Sequence, residues 1–217
     1  MDNMFSLLIP SIWETIYMVS VSTVFALLLG FPLGVLLVIT EKDGIWEKQL
    51  LNSVLSTVVN ISRSFPFIIL MILVFPVSRI IVGTTIGTTA TIVPLAIAAA
   101  PFVARIIESS LKEVDKGIVE AVSAMGASTF QVIFKVLIPE AMPSLVLGIT
   151  LTIINLIGYS AMAGAIGGGG LGDLAIRYGL YRFKTDIMIS AVIVIIILVQ
   201  GVQTIGNKIA ARIDKRK

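Results

Sequence analysis

Apolar stretches alternate with short polar breaks along almost the whole chain. Five stretches approach the ~20 residues that a helix needs to cross the hydrocarbon core: about 15–39, 64–82, 90–107, 142–166 and 187–205. The pattern predicts an all-α integral membrane protein with five transmembrane helices, forming one transmembrane domain over residues 1–217. Gly30, Pro32 and Gly34 loosen the second half of the first stretch; Pro66 and Pro76 fall in the second, Pro94 and Pro101 in the third. Neighbouring helices can re-satisfy backbone groups that proline frees, which suits a packed bundle. Gly and Pro are also simply commoner in membrane helices, so the pattern alone leaves both readings open.

One segment breaks the alternation. GIVEAVSAMGASTFQVIFKVLIPEAMPSL (117–145) is too polar to span a bilayer and too periodic to be a plain connector. Gly117 to Met125 predicts a short helix, with Gly126 placed as its left-handed stop. Ser128 and Gln131 have the spacing of a capping box. Phe130, Ile133, Phe134 and Leu137 then mark a second helix, which Pro139 is expected to end, with Pro143 near the start of the fourth span. Glu120 lies near the bend, and Ala121, Ala124, Gly126 and Ala127 keep its profile low. Such a bend fits a groove on another protein, and equally an amphipathic helix resting on lipid.

Composition sharpens the class. Of 217 residues, 57% are hydrophobic and 13% charged, against roughly 25% charged in soluble domains; mean hydropathy is +1.03. A soluble protein is excluded. With neither cysteine nor histidine, disulfides, thiolate chemistry and the commonest general base are missing. No basic stripe interleaved with aromatics suggests nucleic acid. The start MDNMFSLLIPSIWE has no Lys or Arg before its apolar run, so a retained span is expected rather than a cleaved leader.

Basic residues set the orientation. Lys42, Lys48, Arg105, Lys112, Lys116, Lys135, Lys208, Arg212, Lys215, Arg216 and Lys217 fall on one side, and Arg79, Arg177, Arg182 and Lys184 on the other. The positive-inside rule places the insert and the C-terminus in the cytoplasm and the N-terminus outside. Glu14, Arg63, Arg105 and Glu108 lie near span ends, where snorkelling accounts for them. Charge-free span centres weigh against a proton or ion relay.

Two nucleotide-like runs fail on context. Gly167 to Gly172 (GGGGLG) has no strand before it, and predicts only a flexible turn leaving the fourth span. Gly201 to Lys208 is one residue off a phosphate-binding loop, and Ile209 replaces the required hydroxyl. In the fourth span, Asn155, Tyr159 and Met162 share one face at i, i+4 and i+7. That face suits a solute pathway, or an Asn155 interhelical hydrogen bond with ordinary methionine packing.

Glu120-Ala121-Val122, Gly126 and Val136-Leu137-Ile138-Pro139 resemble the EAA loop of ABC importer permeases, with Val122, Val136 and Ile138 replacing Ala, Ile and Leu. SRSFPFIILM (62–71), AAAPFVARIIESSLKEVDKG (98–117) and GYSAMAGAIGGGGLG (158–172) are similar to the methionine-importer permeases in particular. The resemblance implies a homodimeric permease of a bacterial inner or plasma membrane, paired with two cytoplasmic ATPase subunits and an extracytoplasmic methionine-binding protein. ATP and Mg would sit on the ATPase, with no cofactor on this chain and no enzymatic activity of its own. The segment 117–139 would be the cytoplasmic coupling helix, contacting the ATPase through Glu120, Ala121, Gly126, Ala127 and Pro139. Tyr159 and Met162 would then line the path or gate for L- or D-methionine; Asn155 stays open between path and packing. The competing class is a self-sufficient secondary transporter or channel, although no inverted repeat is evident.

Overall fold

The computed structural model describes residues 4–214. Its elements are α1 (Met4–Ile39), α2 (Gln49–Ser64), α3 (Phe67–Val82), α4 (Thr88–Lys112), α5 (Lys116–Ala124), α6 (Thr129–Val132), α7 (Ile138–Gly164), α8 (Gly170–Leu174) and α9 (Thr185–Ile213). Ile133–Leu137 and Ala175–Tyr181 are π-helical. No strand occurs among the described residues. Lys215, Arg216 and Lys217 of the charge count lie outside them.

Four helices are long and apolar enough to cross a membrane: Met4–Ile39, Thr88–Lys112, Thr129–Gly164 and Thr185–Ile213. The bent pair α2–α3 makes a fifth candidate if its two parts form one crossing. The expected second span, 64–82, corresponds to α3, which joins α2 at a sharp bend. α3 has 16 residues, about 24 Å at 1.5 Å per residue, which falls short of the ~30 Å core. α2 meets it at 106°. Local chemistry permits the break: Phe65 is extended (φ −72°, ψ 129°), as a residue before proline prefers, and Pro66 opens α3 without an N–H to donate.

α2 fills most of the interval between the first two predicted stretches. Its inner face is pinned by hydrogen bonds. Asn52 donates to the Leu37 carbonyl (2.6 Å) and Thr40 Oγ1 (3.2 Å), and Arg105 donates to Ser56 Oγ (2.6 Å) and Asn60 Oδ1 (2.9 Å). Leu50, Val54, Val58 and Ile61 form its exposed outer face.

The core lies where α1 crosses α4. Small residues set that approach: a Cβ on Gly30 would stand 2.5 Å from the Ala100 carbonyl oxygen, and one on Gly34 2.6 Å from that of Ala104. Rather than loosening α1, these glycines let two backbones touch, and α1 continues through Pro32. Lipid gives little hydrophobic drive for helix association, so close packing of this kind is what holds the helices together. Met18, Leu95, Val103, Ile107, Leu111 and Leu156 fill the interior. α7 joins through Gly148 against Ile106, and α9 through Gly206 against Thr150.

Contacts define two ends. At one, Lys112 Nζ bridges Glu41 (2.6 Å) and Glu108 (2.9 Å), and Glu113, Glu140 and Asp214 border a shared cleft. At the other, the Gly87 N–H donates to the Gly167 carbonyl (2.9 Å).

Candidate functional site

The bend between α5 and α6 forms as its local chemistry predicts. Asp115 Oδ1 accepts from the Gly117 N–H (2.7 Å) and caps α5. Gly126 has φ +84°. Its N–H donates to the Ser123 carbonyl (3.0 Å), and the Ala127 N–H reaches the Val122 carbonyl (3.4 Å), the paired bonds of a Schellman stop. Ser128 and Gln131 complete the capping box, with bonds of 3.3 and 2.9 Å. Val119, Val122 and Ala127 pack against the core. Glu120, Ala121 and Gly126 are exposed on the other side, with Met125 (78%) and Phe130 (68%). Glu120 also borders a cleft of about 250 Å³ shared with Glu41, Lys112 and Lys116.

Pro139 does not end this segment. The helix continues from Thr129 to Gly164, because the π turn moves hydrogen bonding from i−4 to i−5: the Ile138 N–H donates to the Ile133 carbonyl. A wider turn makes room for a ring that would strike the i−4 carbonyl of a regular helix. The predicted apolar face also divides. Ile133 and Leu137 are buried, while Phe130 and Phe134 pack on each other outside, ring centroids 4.3 Å apart.

On α7, Asn155 and Met162 are exposed and Tyr159 is half-buried. Met162 is 49% exposed. Leu147, Leu151 and Gly158 extend the open face along the helix. Asn155 makes no side-chain hydrogen bond among the described residues, so its amide is not spent on a neighbouring helix of the same chain. Tyr159 stacks on Phe67 of α3, with centroids 4.4 Å apart and planes within 6°. Both rings border a second cleft of about 250 Å³, which Ser62, Arg63, Phe65 and Phe102 also line.

Two features were not legible as functional. The glycine-rich run is a pinned turn rather than a flexible one: Glu14 Oε2 accepts from the Gly170 N–H (2.7 Å) and Thr15 Oγ1 from Leu171 (2.9 Å). These α1 side chains cap α8 from across the bundle. Gly170, at φ +77°, has Thr15 Oγ1 2.7 Å from where a Cβ would sit. The second is an ionic chain, Arg105–Glu108–Lys112–Glu41, which ties α4 to α1's end and, through Arg105, to α2. Charges at helical spacing (105, 108, 112) signal the first part; Glu41, 71 positions away, gives no such signal.

Comparison with known proteins places this architecture. The model of the family described as binding-protein-dependent transport system inner membrane component matches residues 30–217. The chain is 52% identical over 210 residues to the probable D-methionine transport system permease protein MetI of Vibrio cholerae, covering 97% of this chain and 93% of that one. It is 49% identical over 204 residues to the methionine import system permease protein MetP of Bacillus subtilis, covering 94% and 92%. Among solved structures, a chain of the inward-facing MetNI methionine ABC transporter superposes with a TM-score of 0.97 at 44% identity, covering 99% of this chain and all of that one. An amino acid ABC transporter chain at 20% identity and TM-score 0.77 shares the fold. The chain belongs to the family of binding-protein-dependent transport system inner membrane components.

Proposed function

We propose that this chain is the permease subunit of an ABC importer that takes up methionine. The observation that carries the reading is near full-length likeness to methionine permeases, which spans both the α5–α6 bend and the α7 face. Two copies pair in the membrane, with α2–α3 counted as one broken crossing, so each chain crosses five times. The end bearing Lys112, Lys116 and Lys135 faces the cytoplasm, as the excess of basic residues there indicates, and the N-terminus lies outside.

Each copy presents its bend to one of two ATPase subunits, which hold ATP and Mg. Ala121, Gly126 and Ala127 keep the inserted surface low, Glu120 supplies a charge at its edge, and Met125 and Phe130 supply apolar contact. Pro139 acts at a distance: it sits just past the π turn through which motion of the bend passes into α7. ATP binding closes the ATPase pair, the bends move together, and the α7 faces exchange inward for outward access. An extracytoplasmic binding protein then delivers solute past Met162, Tyr159 and Asn155, and hydrolysis resets the cycle.

The test is reconstitution of the chain with its ATPase and binding protein in proteoliposomes, followed by uptake of labelled L- and D-methionine. Uptake should require internal ATP and all three components. Ion-gradient-driven flux through the chain alone would overturn the reading in favour of a secondary transporter. A preference for dipeptides or inorganic anions would retain the architecture and discard the substrate.

A further inference from the structure

Arg63 was expected near a span end, where its charge could reach the polar boundary. It lies in the last turn of α2, just before the 106° break that leads into α3. Its cleft is shared with Ala98 and Phe102, which flank the midpoint of the 25-residue α4, and with Tyr159 of α7. Arg63 forms no hydrogen bond or ion pair among the described residues. The comparable cation Arg105 is fully engaged by Glu108, Ser56 and Asn60. Arg63 is exposed in one chain and unpaired, level with the middle of α4; an ionisable side chain on an open face at that level of a membrane bundle points to a functional site that supplies an anionic partner.

The rest of the lining tells which anion fits. Phe65, Phe67, Phe102 and Tyr159 give aromatic walls, and no carboxylate lines the cleft. Ser62 already donates its hydroxyl to the Val58 carbonyl (2.8 Å), leaving its oxygen free to accept. We propose that this cleft is a substrate site within the permease, in which Arg63 binds the carboxylate of an α-amino acid whose apolar side chain lies among the aromatic rings. The planar guanidinium suits two-point recognition of a carboxylate. The hydroxyl oxygens of Ser62 and Tyr159 accept from the α-ammonium, and a thioether gains favourable sulfur contacts with ring edges. With no carboxylate in the lining, a cationic side chain would find only Arg63 and be repelled. The cleft therefore selects zwitterions with apolar side chains over basic amino acids, after the binding protein has made its own selection.

The inference rests on the proposed importer reading, so the experiment keeps the two apart. The assembled permease–ATPase complex, without binding protein, is titrated with labelled L-methionine and with methioninol, which keeps the thioether and amine but lacks the carboxylate. The unaltered complex should bind methionine about ten- to a hundredfold more tightly than methioninol, the worth of a charged hydrogen-bonded contact. Arg63→Gln should lose that preference, weakening methionine and leaving methioninol nearly unchanged. Arg63→Lys should keep part of it. Ala98→Leu, which fills the cleft and leaves the charge in place, should weaken both ligands. Equal affinities of the unaltered complex for the two ligands, or no measurable methionine binding, would overturn the site, as would an undiminished preference in Arg63→Gln. Methionine uptake by the complete unaltered transporter reports separately on the importer reading.

Discussion

Gly126 separates backbone strain from partner fit, because the two effects fall on different substitutions. Its φ of +84° is held by the Schellman bonds to Ser123 and Val122. A Cβ placed there would meet nothing within 4 Å. Within the chain, Gly126→Ala and Gly126→Leu therefore carry the same penalty, about 1–2 kcal/mol for a left-handed L-residue. Gly126→Asn should cost less, since Asn tolerates this conformation. Against a typical stability of roughly 5–15 kcal/mol, all three variants should fold. If the bend enters a groove, the bulk of Leu adds an overpacking cost of about 1–3 kcal/mol that Ala avoids, a factor of about 5–150 in productive docking. The assay is ATP-driven methionine uptake in proteoliposomes, with substrate-stimulated ATP hydrolysis and ATPase co-elution measured in parallel. Asn and Ala should retain most coupling, and Leu should lose it by that factor. If Leu matches Ala in uptake, hydrolysis and co-elution, strain alone explains Gly126 and the docking argument fails.

Glu14→Ala removes the acceptor for the Gly170 N–H and should destabilise the purified chain by about 1–3 kcal/mol, with Glu14→Gln recovering part; an unchanged thermal melt in detergent would contradict the capping role. Gly34→Leu drives atoms into the Ala104 carbonyl and Ile107 Cβ, each 2.6 Å from the new Cβ. It should cost about 3 kcal/mol or more and sharply reduce the monodisperse yield on size exclusion, whereas normal yield and melting would refute backbone contact there. Gly158→Leu faces open space in one chain, so it should leave the melt intact and lower methionine uptake by filling the open α7 face, and unchanged uptake would remove Gly158 from the path. Met162→Ala should raise ATP-independent methionine leak, and a tight, fully coupled variant would remove Met162 from the gate.

The determinants written in adjacent residues were the ones legible from sequence. The left-handed stop at Gly126 and the Ser128–Gln131 box form from groups within one helical turn, so spacing alone specifies them. Apolar run length likewise predicted helices of spanning size, since the bilayer fixes the length required. Whether Pro139 stops a helix was a different matter. Proline forbids one regular hydrogen bond, but a π turn upstream removes the conflict, and only packing of Ile133 and Leu137 into the core decides between stop and continuation. The glycines of α1 are ambiguous for the same reason: Gly30 and Gly34 loosen a lone helix and tighten a paired one. Glu14 meets Gly170 across 156 positions, and Arg63 lies level with the middle of α4, beside a break whose angle Pro66 permits but does not set. Sequence determined local backbone geometry and the membrane-spanning class, because those follow from neighbouring atoms and a known solvent. Tertiary structure decided which charges are paired and which faces are open, because those depend on where separate helices come to lie.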